Sequence, residues 1–298
     1  MRRIVQPGPA APERIQSVAA RGRAFSLRIE AGLPLLEAVR RGFAAEGFVG
    51  GTLNMTDGAL GPLAYVMPAL ANTGTHAAFY SETFRPAGVT RLKMAAMTFG
   101  SRDNAPFFHC HGLWLEACGR AGGGHILPEE TCVAEPFAAE AFGLEGALFT
   151  AEPDAETNFK LFGPVAAASA GVETTNRAFA LRLRPNQDFA GALEAFCRDK
   201  GIDRAKLHGG VGSIIGARFS DGRCIVPFAT EMALRSGVIL STADGAREAK
   251  LDVGLVDYLG GLAEGRLTRG DNPVLMTMEL VLEVVEGAEP HPGNGGRV

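Results

Sequence analysis

Several common signatures are absent from this 298-residue chain. No run of about 18 uninterrupted apolar residues occurs, so no stretch reads as a membrane-spanning helix. The opening MRRIVQPGPAAPERIQ is broken by prolines and charges, which argues against a secretory signal. Cysteine is scarce: positions 110, 118, 132, 197 and 224 form an odd set without CxxC spacing, which argues against a disulfide framework. These absences together predict a cytoplasmic protein. A basic domain is also missing. The net charge is −4; residues 25–150 carry eight basic and twelve acidic side chains, and residues 179–287 thirteen and fifteen. Nucleic-acid binders draw most of their affinity from Lys and Arg on phosphates, so DNA is not the expected partner. The dinucleotide fingerprint fails too: GGVGSIIG (209–216) spaces its glycines one residue too far apart, and β-branched residues follow instead of a helix.

What is present is concentrated in residues 108–125, FHCHGLWLEACGRAGGGH. His109 and His111 stand two apart in a segment that reads as a strand. Alternation puts both on one face and turns Cys110 away as a small buried hydrophobe. The turn-prone Cys118–Gly124 stretch brings His125 back to the pair. Gly122, Gly123 and Gly124 are read as part of that turn. Three imidazoles are a ligand set for zinc or a similar divalent ion, with a fourth position open to water or substrate. A hydrolytic site also needs a carboxylate base. Asp57, Glu82, Asp103, Glu130 and Glu135 are the acids available in this half, with Asp57 and Glu135 as the catalytic candidates. Of the other histidines, His76, His208 and His291 are expected to be solvated or capping.

Two stretches match at an offset of 154 residues, with seven identities between Phe25/Phe179 and Val66/Ser220, among them Leu27/Leu181, Arg28/Arg182 and Leu53/Leu207. Each opens with a short strand and an amphipathic helix ending at a glycine. The helix near 34–46 places Leu36, Val39 and Phe43 on one face; that near 189–200 places Phe189, Leu193, Phe196 and Cys197 there. Pro34 suits the first turn of one, Asp188 the N-cap of the other, and Gly47 and Gly201 suit their ends. Strands are expected at 77–84, 90–99, 105–117, 131–142, 229–240, 250–258 and 274–286. The result is an α+β fold with two copies of a single-helix, mainly antiparallel domain. The expected layout is a flexible arm (1–24), a first domain (25–150), a connector (151–178), a second domain (179–286) and a disordered tail (287–298). Arg28 and Arg182 are expected to make the same structural ion pair.

The helix with its trailing glycine, the DGAL turn (57–60), FHCH (108–111) and GGGH (122–125) together resemble the plants-and-prokaryotes-conserved (PPC) domain. The resemblance covers about 25–145; residues 179–286 share only the strand–helix opening. It implies a metal role for His109, His111 and His125, a single-helix α+β sandwich, and a homo-oligomer, with a trimer as the family's habit. Overlaying HCHGLWL on LDVGLVD puts Leu251 and Val253 at the histidine places, and Arg266 at that of His125. The second half is therefore expected to hold no ion and to be structural or to close the first half's pocket. The AT-hook of the plant proteins is absent. The expected function is a metal-dependent hydrolase or lyase, with one zinc or other divalent transition ion per chain. Its substrate would be a small carboxylate- or carbonyl-containing molecule. The alternative is a non-catalytic, metal-stabilised protein that is DNA-associated or senses a ligand.

Overall fold

The computed structural model describes residues 1–169 and 171–286; the expected tail and His291 lie outside them. Each half lays out six strands in the same order. In the first, Ile15–Ile29 pairs with Phe137–Glu145, then come Gly51–Met55, Thr90–Arg102, Ala105–Leu115 and Ala121–Ile126. In the second, Asn176–Leu183 pairs with Val274–Val284, followed by Arg204–Arg218, Cys224–Ser241, Arg247–Asp257 and Leu262–Arg266. All these ladders are antiparallel. Of the strand expected at 77–84, only Phe79–Tyr80 forms, pairing with Pro68–Ala69 outside the main sheet.

The helices fall where the periodicity predicts them. Helix α1 (Leu35–Ala45) buries Leu35, Ala38, Val39 and Phe43; α2 (Phe189–Asp199) buries Phe189, Leu193, Phe196 and Cys197 among others. Asp188 caps α2 by accepting from the Gly191 amide at 2.8 Å, whereas Pro34, at the matching place before α1, makes no side-chain cap. Gly47 (φ +83°) and Gly201 (φ +63°) take the left-handed conformation that lets the chain leave each helix.

Each helix covers one face of its own sheet, giving two separate cores. The opposite faces meet: Met94, Ala96 and Leu113 of the first sheet pack on Ala233 of the second. The site described below lies at this seam.

One expectation about connections is corrected. The arm expected over 1–24 is not free. Ile15–Ile29 is a single 15-residue strand whose start pairs with Asn176–Leu183 of the second half and whose end pairs with Phe137–Glu145 of the first. Ahead of it, Gln6 is buried and donates to the Leu275 carbonyl at 2.7 Å, and Arg14 grips Glu156 through both terminal nitrogens at 2.8 Å. Uncharged, compact side chains between the arginines (SVAA, 17–20) suit the segment to a strand. The connector is also structured, since Lys160–Ala166 pairs along Ala147–Pro153 and buries Phe162. No helix among the described residues is long and apolar enough to cross a membrane.

Candidate metal centre

Strand alternation delivers the expected faces. Cys110 is buried in the core under α1, while His109 and His111 face the second half. The hairpin turn sits earlier than expected, closing between Glu116 and Arg120. Gly122, Gly123 and Gly124 are strand residues rather than turn residues. Their bare backbone is required by packing: a Cβ on Gly124 would lie 2.4 Å from the Val66 carbonyl oxygen. The ladder then sets His125 directly opposite His111.

The three side chains converge, each offering one nitrogen within 4.8 Å of the others. His109 Nε2 lies 3.1 Å from His111 Nε2, which lies 3.2 Å from His125 Nδ1. Nitrogens bound to one tetrahedral zinc at 2.0–2.1 Å stand about 3.3 Å apart. The remaining ring nitrogens decide where the lone pairs point. His111 Nδ1 donates to the carbonyl oxygens of Gly212 (3.0 Å) and Met232 (3.2 Å), and His109 Nδ1 donates to Glu279 at 2.7 Å. Both Nε2 atoms are thereby left as acceptors facing each other. Metal-bound histidines are characteristically oriented in this way, by carbonyl or carboxylate partners on the far nitrogen. Burial holds His111 and His125 well below the ordinary imidazole range, as does the proximity of neighbouring histidines. Neutral rings with free lone pairs are what a metal requires. The residues present fit a divalent transition ion.

The two proposed catalytic acids are not at this site. Glu135 is exposed and doubly bonded to Arg91 at 2.6 Å, and Asp57 occupies an exposed left-handed turn (φ 54°). Neither lines the cavities beside the histidines. Asp103 and Glu130 are likewise engaged on the surface, by Lys160 and Arg85. The carboxylates that do approach come from the second half. Glu279 is fully buried on His109; its other oxygen accepts from Thr277, whose hydroxyl in turn accepts from the buried Arg182. Glu231 lies 3.7 Å from His111 Nε2, and burial raises its carboxyl well above the ordinary range. The sequence carried a signal for both. Each is a lone acid inside an apolar strand, ATEMAL (229–234) and LMTMELVL (275–282), and a buried acid there needs a partner.

From the histidines a cavity of about 350 Å³ extends between Phe107, Phe159 and Phe162 to Arg102 and Lys160. Tyr80, on the short outer hairpin, stands over His125 with ring centroids 5.4 Å apart.

The overlay of the second half is corrected by one residue. Starting from the matched Leu53 and Leu207, the ladders run Leu53–Met97–Cys110 in one half and Leu207–Gly237–Leu251 in the other. Leu251 thus stands where Cys110 does, and both face their helix cores. A one-residue slip exchanges the faces of a strand, so the histidine places fall on Lys250 and Asp252. Arg266 does take the place of His125, because it pairs with Asp252 as His125 pairs with His111. Three further expectations fail. His208 is not solvated but bonded to Glu283 at 2.6 Å and stacked on Phe142. Arg182 is buried on Asp154, whereas Arg28 is exposed, so the matched arginines do not share a role. His76 is neither simply solvated nor a cap: its ring packs on Phe79 and Phe159.

Comparison with known proteins bears on the second half first. Residues 170–286 match the model of the Plants and Prokaryotes Conserved (PCC) domain. The chain contains a PCC domain. The match falls on the half expected to be the weaker relative, not on the one with the histidines. Among solved structures, a metal-containing protein of Archaeoglobus fulgidus aligns at 18% identity with a TM-score of 0.38, over 48% of this chain and 94% of its own. A plant- and prokaryote-conserved protein of Pyrococcus horikoshii aligns at 18% and 0.39, over 50% and 97%. A protein of Ralstonia eutropha, provisionally described as DNA-binding, aligns at 12% and 0.32, over 47% and 89%. No curated protein matches the chain.

Proposed function

We propose that this protein is a metal-dependent binding protein for a small anionic or carbonyl-bearing ligand. One divalent transition ion, zinc by the character of its donors, is held at the seam between two related domains. The observation that carries the reading is the pair of Nε2 lone pairs 3.1 Å apart, their far nitrogens already committed to donating. A cation between them turns a repulsion into coordination. When bound, such an ion supplies a Lewis-acidic centre that polarises a ligand oxygen.

The chain's own residues supply the rest. Glu279 and the carbonyls of Gly212 and Met232 fix the ring orientations. Phe107, Phe159 and Phe162 give the cavity apolar walls, and Arg102 and Lys160, which share the single counter-ion Asp103, line it too. That arrangement suits a carboxylate with a small apolar body. The common strand order of the two halves, and a PCC match on the second, support a tandem duplication in which only the first copy kept the donors.

The test is elemental analysis with ligand titration. One ion per chain is expected, lost in His111→Ala, and small carboxylates should bind only the loaded protein. A metal-free protein purified without chelators would end the reading. DNA is not the proposed partner. Of the five arginines in residues 1–24, Arg2, Arg14 and Arg23 are paired with Asp271, Glu156 and Glu46. Duplex binding at about 150 mM salt should therefore be weak and steeply salt-dependent; a tight, sequence-selective complex would overturn this.

Catalysis of the hydrolase or lyase type is the second reading, favoured by the open cavity reaching His109 and His125. It requires turnover of small esters or hydroxy acids that disappears in His111→Ala.

A further inference from the structure

We propose that Glu231, contributed by the second domain, belongs to the immediate surroundings of the ion and supplies the negative charge that three neutral histidines lack. This rests on the reading of His109, His111 and His125 as metal ligands, and adds a residue from the other half of the molecule.

Glu231 is 5% exposed, yet its Oε2 has no hydrogen-bond partner. Among the described residues it is the one carboxylate oxygen buried in that condition. The other buried acids at or near the seam are engaged: Glu279 by His109 and Thr277, Asp154 by Arg182 and Arg184, Glu156 by Arg14. Among the described residues the one ionic neighbour of Glu231 is His111, at 3.7 Å. A buried carboxyl oxygen with neither a cation nor a hydrogen-bond donor is expensive, so Oε2 lacks the positive charge or donor that would offset its burial. The three nitrogens that could hold such a charge converge beside it.

The distances also decide how Glu231 takes part. It is close to His111 Nε2, but it does not join the three histidines in the group whose ligand atoms lie mutually within 4.8 Å. It therefore does not occupy a fourth corner of the donor set. Instead it lines a small chamber of about 50 Å³ with Tyr80, His109, His111, Ser213 and Thr277. That volume holds one water-sized group at ~30 Å³. Glu231 thus acts as a charge-compensating and positioning residue across this chamber, through the group the chamber admits. In this arrangement the ion also ties the two domains together, since Glu279 holds His109 and Glu231 faces the chamber, both from the second sheet.

The test uses the full chain and measures metal retention. Zinc is withdrawn by a chromophoric chelator, and the visible spectrum of the cobalt-substituted protein is recorded in parallel. Glu231→Gln keeps the shape and removes the charge. It is expected to weaken zinc retention at least tenfold, within the roughly 10–100-fold typical of outer-sphere partners, and to shift the cobalt bands. Glu231→Asp, which withdraws the charge by one methylene, should fall in between. If the wild type holds one ion and Glu231→Gln matches it in retention and spectrum, this inference fails while the histidine site stands. If Glu231→Gln does not fold, wild-type retention and spectrum in Glu231→Asp would overturn it equally. A wild type that holds no ion at all removes the histidine site itself, and Glu231 with it.

Discussion

The two halves of the molecule run their strands in the same order and bury one helix each, but differ at one pair of cross-strand positions. Where the first has His111 opposite His125, the second has Asp252 opposite Arg266. Arg266 and Asp252 neutralise each other at 2.7 Å, at least partly in contact with solvent. The histidines lie against a second sheet, with the Nε2 atoms of His109 and His111 turned toward each other. The lesson is that a shared fold supplies the positions and the seam decides the chemistry. The first half's site is finished by residues of the second, so neither half contains the whole of it.

The largest effect should come from the ligands themselves. His111→Ala should abolish stoichiometric metal binding, a greater loss than the roughly 10–100-fold of an outer-sphere partner. The wild type should give one ion per chain by elemental analysis; two would break the comparison, because Lys250, Asp252 and Arg266 offer no such donor set.

Next come the matched arginines. Asp154→Ala strips the buried Arg182 of its counter-ion and should cost roughly 3–5 kcal/mol in urea denaturation. Arg28→Ala, at the corresponding exposed place, should stay within about 0.5 kcal/mol. Asp154 titrates at about 2, lowered by the Arg182 and Arg184 charges and hydrogen bonds despite the opposing effect of burial. Its folded value lies below the ordinary 3.8, so the ion pair's contribution is complete above that pH and fades as pH falls toward 2. The gap between wild type and Asp154→Ala should close over that window; a constant gap would show that packing, not charge, is responsible.

Glu279→Gln is the third. It loosens the hold on His109 and should weaken zinc retention about 10–100-fold, with little change in the second half's core. Unchanged retention would mean that the seam does not tune the site. The smallest difference concerns the helices. Asp188→Ala should cost about 1 kcal/mol through loss of the α2 cap, while Pro34→Ala removes no cap from α1. Equal losses in thermal denaturation would show that the two helix starts are held alike.

Much of this was legible in the residues. The period of two placed His109 and His111 on one face and Cys110 on the other, and the period of 3.6 placed both helices and their buried faces. Those properties are local, set by backbone geometry whatever surrounds the segment. Apart from the position of the hairpin turn and the length of the strand at Phe79–Tyr80, the errors concern what lies across space. Glu135 looks suitable because it follows GGGH, and Asp57 because it lies in the DGAL turn, yet both are exposed away from the histidines. Glu231 and Glu279 lie more than 100 residues away and arrive only through sheet-on-sheet packing. Leu251 and Val253 were misplaced because an ungapped overlay cannot see a change of register, and one residue exchanges the two faces.

The sequence by itself determined the three-histidine cluster, the two strand–helix openings and the excess of acid over base, since each is a matter of residue type and spacing. Only the tertiary structure decided that residues 15–24 bind the halves into one sheet system. It also decided that the triple glycine admits a neighbouring backbone rather than making the turn, and that the partners of the histidines come from the other domain. The physical reason is the same in each case: burial and hydrogen-bond partnership belong to surfaces brought together by packing, and no single segment carries the information about its opposite face.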